Sequence, residues 1–229
     1  MIFDRFIYMI GEESFSDLKR KIVMVFGLGG VGSFAAEALV RSGIGEIGVC
    51  DFDKVDETNL NRQLIALSST IDKYKVEIFN ERALDINPKL NIKIFNEKVD
   101  LENISQILKE NYDFVIDCID DVDAKVEIAK YCLDKDIKFI ASMGFANKFH
   151  PEMIRIKKMN QTSVCPLAKT LRRKLKMAGY SLDFPVCYSE EKPAKLLDNS
   201  YLGSTSYTPS AAGLHLAAYV VNHFIGENV

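Results

Sequence analysis

The sequence predicts an α/β fold: a doubly wound, mostly parallel sheet, with a substrate-facing α+β extension in the second half. Three observations lead there. Short apolar and β-branched runs alternate with stretches of helical spacing from Ile22 to Gly144. The first run, Ile22–Phe26, passes directly into Gly27-Leu28-Gly29-Gly30-Val31-Gly32. After Gly144 the rhythm changes to a basic, mixed segment.

Each element follows from local pattern. Ile22–Phe26 suits a buried parallel strand. A helix is expected from Gly32 to Arg41, closed by Ser42-Gly43, and a second strand at Glu46–Cys50. Residues 56–68 and 73–86 read as helices, the latter stopping before Pro88. Asn91–Phe95 alternates as a strand, Ile104–Lys109 suits a helix, Phe114–Cys118 a strand, Val122–Leu133 a helix and Ile137–Ala141 a strand. Beyond the change of rhythm, Met153–Ile156 and Phe184–Tyr188 read as strands around a basic amphipathic helix, Pro166–Met177. Glu190–Ser206 is a polar crossover. Pro209–Ile225 is too short for a membrane span and holds His215, Asn222 and His223, so it reads as a helix packed on the sheet. A boundary is expected at 147/148, between a nucleotide-binding core and an extension that returns to it through the last helix.

Composition narrows the partners. The 229 residues carry a net charge of −3, with 48% hydrophobic residues, which suits one sizeable globular unit. The charge is uneven. Residues 151–180 hold Arg155, Lys157, Lys158, Lys169, Arg172, Arg173, Lys174 and Lys176 against Glu152 alone. That segment stands at +7 and the remainder at −10. A basic stretch in an acidic chain marks a contact surface for an anionic partner. The five cysteines, at 50, 118, 132, 165 and 187, contain no C-x-x-C pair, which argues against a zinc knuckle and fits a reducing, cytoplasmic setting. The N-terminus, with Asp4 and Arg5 ahead of any apolar run, does not read as a signal peptide.

The chemistry sits at strand ends. The G-x-G-x-x-G turn (Gly27, Gly29, Gly30 and Gly32), between a strand and a helix, brings backbone N–H groups and a helix N-terminus to a phosphate, in the Rossmann-like manner. Asp51 ends the second strand where a ribose-binding acid is expected. An NAD-dependent oxidoreductase or a nucleotide-sensing module would share these features. Asp51-Phe52-Asp53 followed by Asn59-Leu60-Asn61-Arg62-Gln63 separates the readings. Hydride transfer has no use for an arginine there, whereas cleavage between the α- and β-phosphates puts growing negative charge beside it. Arg62 would meet that charge, with Asn59, Asn61 and Gln63 supplying hydrogen bonds. Lys75 opens the next helix, Asp117-Cys118-Ile119-Asp120 ends the fourth strand, and Lys125 follows a turn later. Asp120 is placed to hold Mg²⁺, an ion that takes one or two carboxylates alongside phosphates.

Taken in order, these motifs resemble the adenylating domain of the ThiF/MoeB family and of ubiquitin-activating enzymes. The resemblance implies ATP and Mg²⁺ as cofactors and an ATP-binding adenylating domain over residues 1–147. Asp51 would bind the ribose, with Asp53, Lys125 and the glycine turn also around the nucleotide. Arg62 and Lys75 would act on the phosphates, and Asp120 would hold the metal. In the second half, Cys165-Pro166-Leu167-Ala168-Lys169, Pro185-Val186-Cys187-Tyr188, Leu202-Gly203-Ser204 and the closing helix resemble the tRNA threonylcarbamoyladenosine dehydratases. Membership there implies a cytosolic homodimer that adenylates the threonylcarbamoyl carboxylate of a modified adenosine next to the anticodon and cyclises it. Lys169, Arg172, Arg173, Lys174 and Lys176 would touch the tRNA. A sulfur-mobilising protein partner and, as an alternative activity, adenylation of a small ubiquitin-like sulfur carrier stay open. The family also brings an N-terminal arginine of the partner subunit to ATP; Tyr8 stands at that place here, with Arg5 nearby.

Overall fold

In the computed structural model the described residues are 2–195 and 202–227. The chain enters through two short helices, α1 (Asp4–Ile10) and α2 (Glu12–Leu18), separated by Gly11 in a left-handed conformation. Nothing in the apolar periodicity announces them. Strands β1 (Ile22–Phe26), β2 (Glu46–Cys50), β3 (Asn91–Phe95), β4 (Phe114–Asp117) and β5 (Phe139–Ser142) alternate with helices α3 (Gly32–Ser42), α4 (Lys75–Ile86), α5 (Ile104–Ile107) and α6 (Val122–Asp134). β6 (Ile154–Lys158), α7 (Pro166–Met177), β7 (Pro185–Ser189) and α8 (Tyr207–Ile225) complete the fold.

One seven-stranded sheet, in the order β3-β2-β1-β4-β5-β7-β6, runs through the molecule. All pairs are parallel except β6–β7. β7 pairs with β5, so the sheet continues unbroken from the first half of the chain into the second. The order reverses between β1 and β4, and ligands in open α/β sheets bind outside the carboxyl ends of the strands at such a switch.

Alternation along β1 shows the double winding. Val23 and Val25 point into a core shared with α2, α3, α4 and α8, while Met24 and Phe26 point into one shared with α5, α6 and α7. Burial on both faces requires continuous apolar strands rather than strands with one polar side. α8 lies against α3, and a Cβ at its Gly213 would stand only 2.3 Å from the Val31 carbonyl oxygen, so the closing helix rests directly on the glycine turn.

The structure corrects one element. Residues 56–68 form no α-helix; a single 3-10 turn spans Glu57–Asn59, and a second spans Ser68–Thr70. Side chains explain it. Asp56 accepts from Thr58 N at 2.8 Å, and Asn59 Oδ1 accepts from Asp56 N at 3.2 Å, closing a capping box around one turn. Short polar side chains that satisfy nearby backbone groups remove the need for a continuing helix. Of the expected crossover at 190–206, residues 196–201 lie outside the described residues.

Candidate active site

A cavity of about 740 Å³ opens at the switch point. Its floor is the glycine turn. Gly27 adopts φ +84°, and a Cβ there would stand 2.9 Å from the Cys118 carbonyl oxygen, so only glycine lets the turn close on the end of β4. Asp51 fastens the turn from the other side: Leu28 N donates to its Oδ2 at 2.6 Å and Asp53 N to its Oδ1 at 2.9 Å. Burial pushes the Asp51 carboxyl above the usual carboxylate range, an effect opposed by Lys75 and the two N–H donors. Lys75, nearly buried, places Nζ 2.8 Å from Asp53 Oδ2 and 3.9 Å from Asp51 Oδ1. Three expected nucleotide-site residues thus form one cluster around the end of β2.

Arg62 also lines the cavity beside the glycine turn, where a Cβ at Gly30 would stand 3.3 Å from its Cγ. Its Nη1 donates to Thr58 O at 2.8 Å and to Asn61 Oδ1 at 3.0 Å, which leaves Nε and Nη2 without an acceptor among the described residues. Asp120, also in the wall, is exposed and makes no hydrogen bond or ion pair with the described residues. Asn59 and Gln63 line the cavity too, and Gln63 Oε1 is a buried acceptor with no partner among the described residues. An unmet buried acceptor costs about 1–3 kcal/mol until a ligand donor reaches it, which favours a ligand carrying hydroxyl or amide donors. The far end is bounded by Phe52, Glu97, Val99 and Asp121, with Lys98 Nζ over the Phe52 ring at 6.0 Å and 3.2 Å from Asp121 Oδ2.

Three expected contacts are not made directly. Lys125 is fully buried, its Nζ 2.9 Å from Asp117 Oδ2, and is not among the residues that line the cavity. Burial alone would push the Asp117 carboxyl far up; Lys125 opposes that shift, and Asp117 Oδ1 accepts from Ile119 N at 3.1 Å, fixing the loop that carries Asp120. Gly32 also stands outside the wall. A Cβ there would meet Gly27 O at 1.8 Å, so this glycine serves the packing of α3 on β1. Asn61 is not among the residues that line the cavity and donates Nδ2 to Ser204 O at 3.0 Å.

Sequence reasoning missed the second wall. Residues 142–146, Leu167 and residues 202–204 also line the cavity. Leu167 belongs to the first turn of α7, so the basic helix starts at the cavity rim. Along α7, Ala168, Leu171 and Leu175 are buried, and Lys169, Arg173 and Lys176 are exposed, spaced as one helical stripe. The two other expected cations are engaged: Arg172 Nη1 donates to Thr162 O at 2.9 Å, and Lys174 is paired with Asp123. Among the described residues, no group of three His, Cys, Asp or Glu side chains forms a metal cluster.

This geometry is that of a nucleotide site, and the ThiF family pattern matches residues 3–227. The chain belongs to the ThiF family. Within it, the chain is 38% identical over 235 residues to the tRNA threonylcarbamoyladenosine dehydratase of Bacillus subtilis (strain 168), covering 96% of this chain and 92% of that relative. The crystal structure of E. coli tRNA N6-threonylcarbamoyladenosine dehydratase, TcdA, in complex with ATP superposes with a TM-score of 0.92 at 29% identity, over 98% of this chain and 93% of that one. By contrast, the molybdopterin-synthase adenylyltransferase of Haemophilus influenzae is 32% identical over 124 residues, 54% of this chain and 51% of that protein.

The Lys125–Asp117 pair generates a stability prediction. Lys125→Met leaves a buried carboxylate unpaired and lowers unfolding free energy in urea by about 3–5 kcal/mol. Adding Asp117→Asn, which keeps the acceptor for Ile119 N, recovers most of that loss. A stable single variant with weakened ATP binding would place Lys125 at the nucleotide instead.

Proposed function

We propose that this chain is an ATP-dependent tRNA threonylcarbamoyladenosine dehydratase. One observation carries the reading. A guanidinium with free donors and a free carboxylate face one cavity over a glycine turn, and that cavity opens at the foot of an exposed cationic stripe. Residues 1–147 hold the ATP, and residues 148–229 face the tRNA. Likeness to a dehydratase over nearly the full length of both chains supports this over activation of a carrier protein.

The chemistry follows from charge. A carboxylate resists nucleophiles because it is already negative. Attack of the threonylcarbamoyl carboxylate oxygen on the α-phosphorus of ATP breaks the α–β bond, releases pyrophosphate and leaves a mixed anhydride with AMP. A nucleophilic atom of the carbamoyl group on the same side chain then attacks the activated carbonyl. It loses its proton, AMP departs with its bonding pair, and the ring closes; the net change in the nucleoside is loss of one water. The protein's contribution is electrostatic and positional. Leu28 N is held by Asp51, and the free N–H groups of Arg62 meet the charge that grows on the phosphates. Lys75 keeps the carboxylates of Asp51 and Asp53 compensated so that an anionic ligand enters at tolerable cost.

The donor set fits Mg²⁺ bound with the nucleotide. Asp120 offers one unengaged carboxylate, and phosphates and water would complete the shell. When bound, the ion supplies positive charge at the phosphates. A homodimer is the assembly favoured by α1, which buries no residue and leaves Tyr8 95% and Met9 77% exposed. Its surface supports docking of a second copy of this chain. A cytoplasmic location accords with five free cysteines and with the lack, among the described residues, of any helix long and apolar enough to cross a membrane.

Nucleosides from threonylcarbamoylated tRNA incubated with the enzyme and Mg-ATP should show the modified adenosine lighter by one water. An unchanged nucleoside, with ATP consumed only when a carrier protein is added, would sink the reading. Arg62→Ala should lower kcat about 100-fold while the KM for ATP moves by no more than about threefold, because the interaction strengthens in the transition state. Equal changes in both would make Arg62 a simple binding residue. Alanine replacement of Lys169, Arg173 and Lys176 together should flatten the slope of log affinity against log salt for tRNA by about 2–3. An unchanged slope would remove the stripe from the interface.

A further inference from the structure

The second wall of the cavity hangs on one left-handed residue. Asn147 has φ +59°, a conformation in which asparagine is enriched among side-chain-bearing residues. It holds Gly203 by both polar backbone atoms. Asn147 N donates to Gly203 O at 2.8 Å, and Gly203 N donates to Asn147 Oδ1 at 2.7 Å. Its own carbonyl accepts from Ala194 N at 2.8 Å. The neighbouring Lys148 is buried, with no carboxylate paired to it among the described residues, and donates Nζ to Ser189 O at 3.2 Å and Glu191 O at 2.9 Å. Thr208 Oγ1 donates to the Lys148 carbonyl at 3.2 Å. Residues 147–148 are therefore anchored to the end of β7 and to the start of α8.

From Gly203 the line continues to the phosphate side. Ser204 O accepts from Asn61 Nδ2 at 3.0 Å, and Asn61 Oδ1 accepts from Arg62 Nη1 at 3.0 Å. Ser204 and Arg62 both line the cavity, whereas Asn61 and Asn147 do not. One side chain thus joins the wall that faces the acceptor to the arginine that faces the phosphates.

We propose that Asn147 and Asn61 are positioning residues, which set the orientation of the Arg62 guanidinium through the backbone of residues 203–204. The proposal rests on the adenylation reading and deepens it. A modified nucleoside seated against residues 202–204 presses on the same backbone that Asn61 grips, so the acceptor and the phosphate-facing arginine are aligned by one device. Neither asparagine touches the reacting atoms, and each acts through Arg62.

Asn147→Gly separates this role from backbone strain, because glycine keeps the positive φ while Oδ1 is lost. In tRNA-dependent AMP formation, Asn147→Gly and Asn61→Ala should each lower kcat about tenfold, with the equilibrium Kd for ATP within about twofold of wild type. The double variant should be little worse than either single one, since both cut the same line. Asn147→Asp, which retains the acceptor for Gly203 N, should restore most of the rate. Wild-type kcat in Asn147→Gly, losses that multiply in the double variant, or a parallel loss of ATP affinity would overturn the proposal and leave the dehydratase reading standing. Wild-type enzyme that leaves modified tRNA unchanged would overturn both.

Discussion

The constraint on which this molecule depends is how closely two strand ends approach in its glycine turn. The carbonyl oxygen of Gly27 occupies the space where any side chain at residue 32 would begin, and the carbonyl of Cys118 crowds Gly27 in the same way. These contacts draw the start of α3, the end of β1 and the end of β4 together at the point where strand order reverses. Because the turn is pulled tight, Asp51 reaches Leu28 N, and the loop carrying Asp120 stands over the same cavity as Arg62. Loosening the turn by one methyl group would separate groups that come from three different connections.

Charge is arranged around this turn in an order that resolves an apparent conflict. A site meant for a polyanion is lined by Asp51, Asp53, Glu97, Asp120 and Asp121. Most of these are already committed. Asp51 is held by two N–H donors and shares Lys75 with Asp53, and Asp121 caps α6 while meeting Lys98. Among the described residues, the cations Arg62 and Lys54 line the cavity with no carboxylate partner, and Asp120 accepts neither a hydrogen bond nor an ion pair. That combination favours a ligand bringing both negative phosphates and a divalent ion over one bringing either alone.

Much of the sheet was legible because a strand buried on both faces leaves a continuous apolar run, as at Ile22–Phe26 and Phe114–Cys118. The basic helix was legible to the residue, since Pro166 sets its first turn and the apolar positions at 168, 171 and 175 share one face. Four features were not. α1 and α2 carry too few periodic apolar positions to show in sequence, because α1 buries none of its side chains in this chain. The loop at 56–68 has helix-forming residues, but the Asp56–Asn59 capping box satisfies its backbone locally. Lys125 follows the Asp117–Asp120 strand end by about a turn, and spacing alone does not tell inward burial against a carboxylate from approach to a phosphate. The roles of Asn147 and Asn61 depend on contacts with residues 203 and 204, remote in sequence from both, and only the folded chain brings them into view.

The cysteines complete the mechanistic logic. Burial pushes the Cys50 thiol up to about 12, and it raises Cys118, Cys132 and Cys187 further still. None of these four offers a thiolate near neutral pH, including Cys118, which borders the cavity. A ThiF fold that had to pass an acyl group to its own thiol would need a depressed thiol pKa at that position. Cyclisation needs no such residue, because the attacking atom and the activated carbonyl belong to one side chain and their effective molarity reaches about 10⁵ M or more. What the enzyme must provide is alignment of ATP with a carboxylate and exclusion of other nucleophiles. The second wall, hydrogen-bonded through Ser204 and Asn61 to Arg62, supports the first.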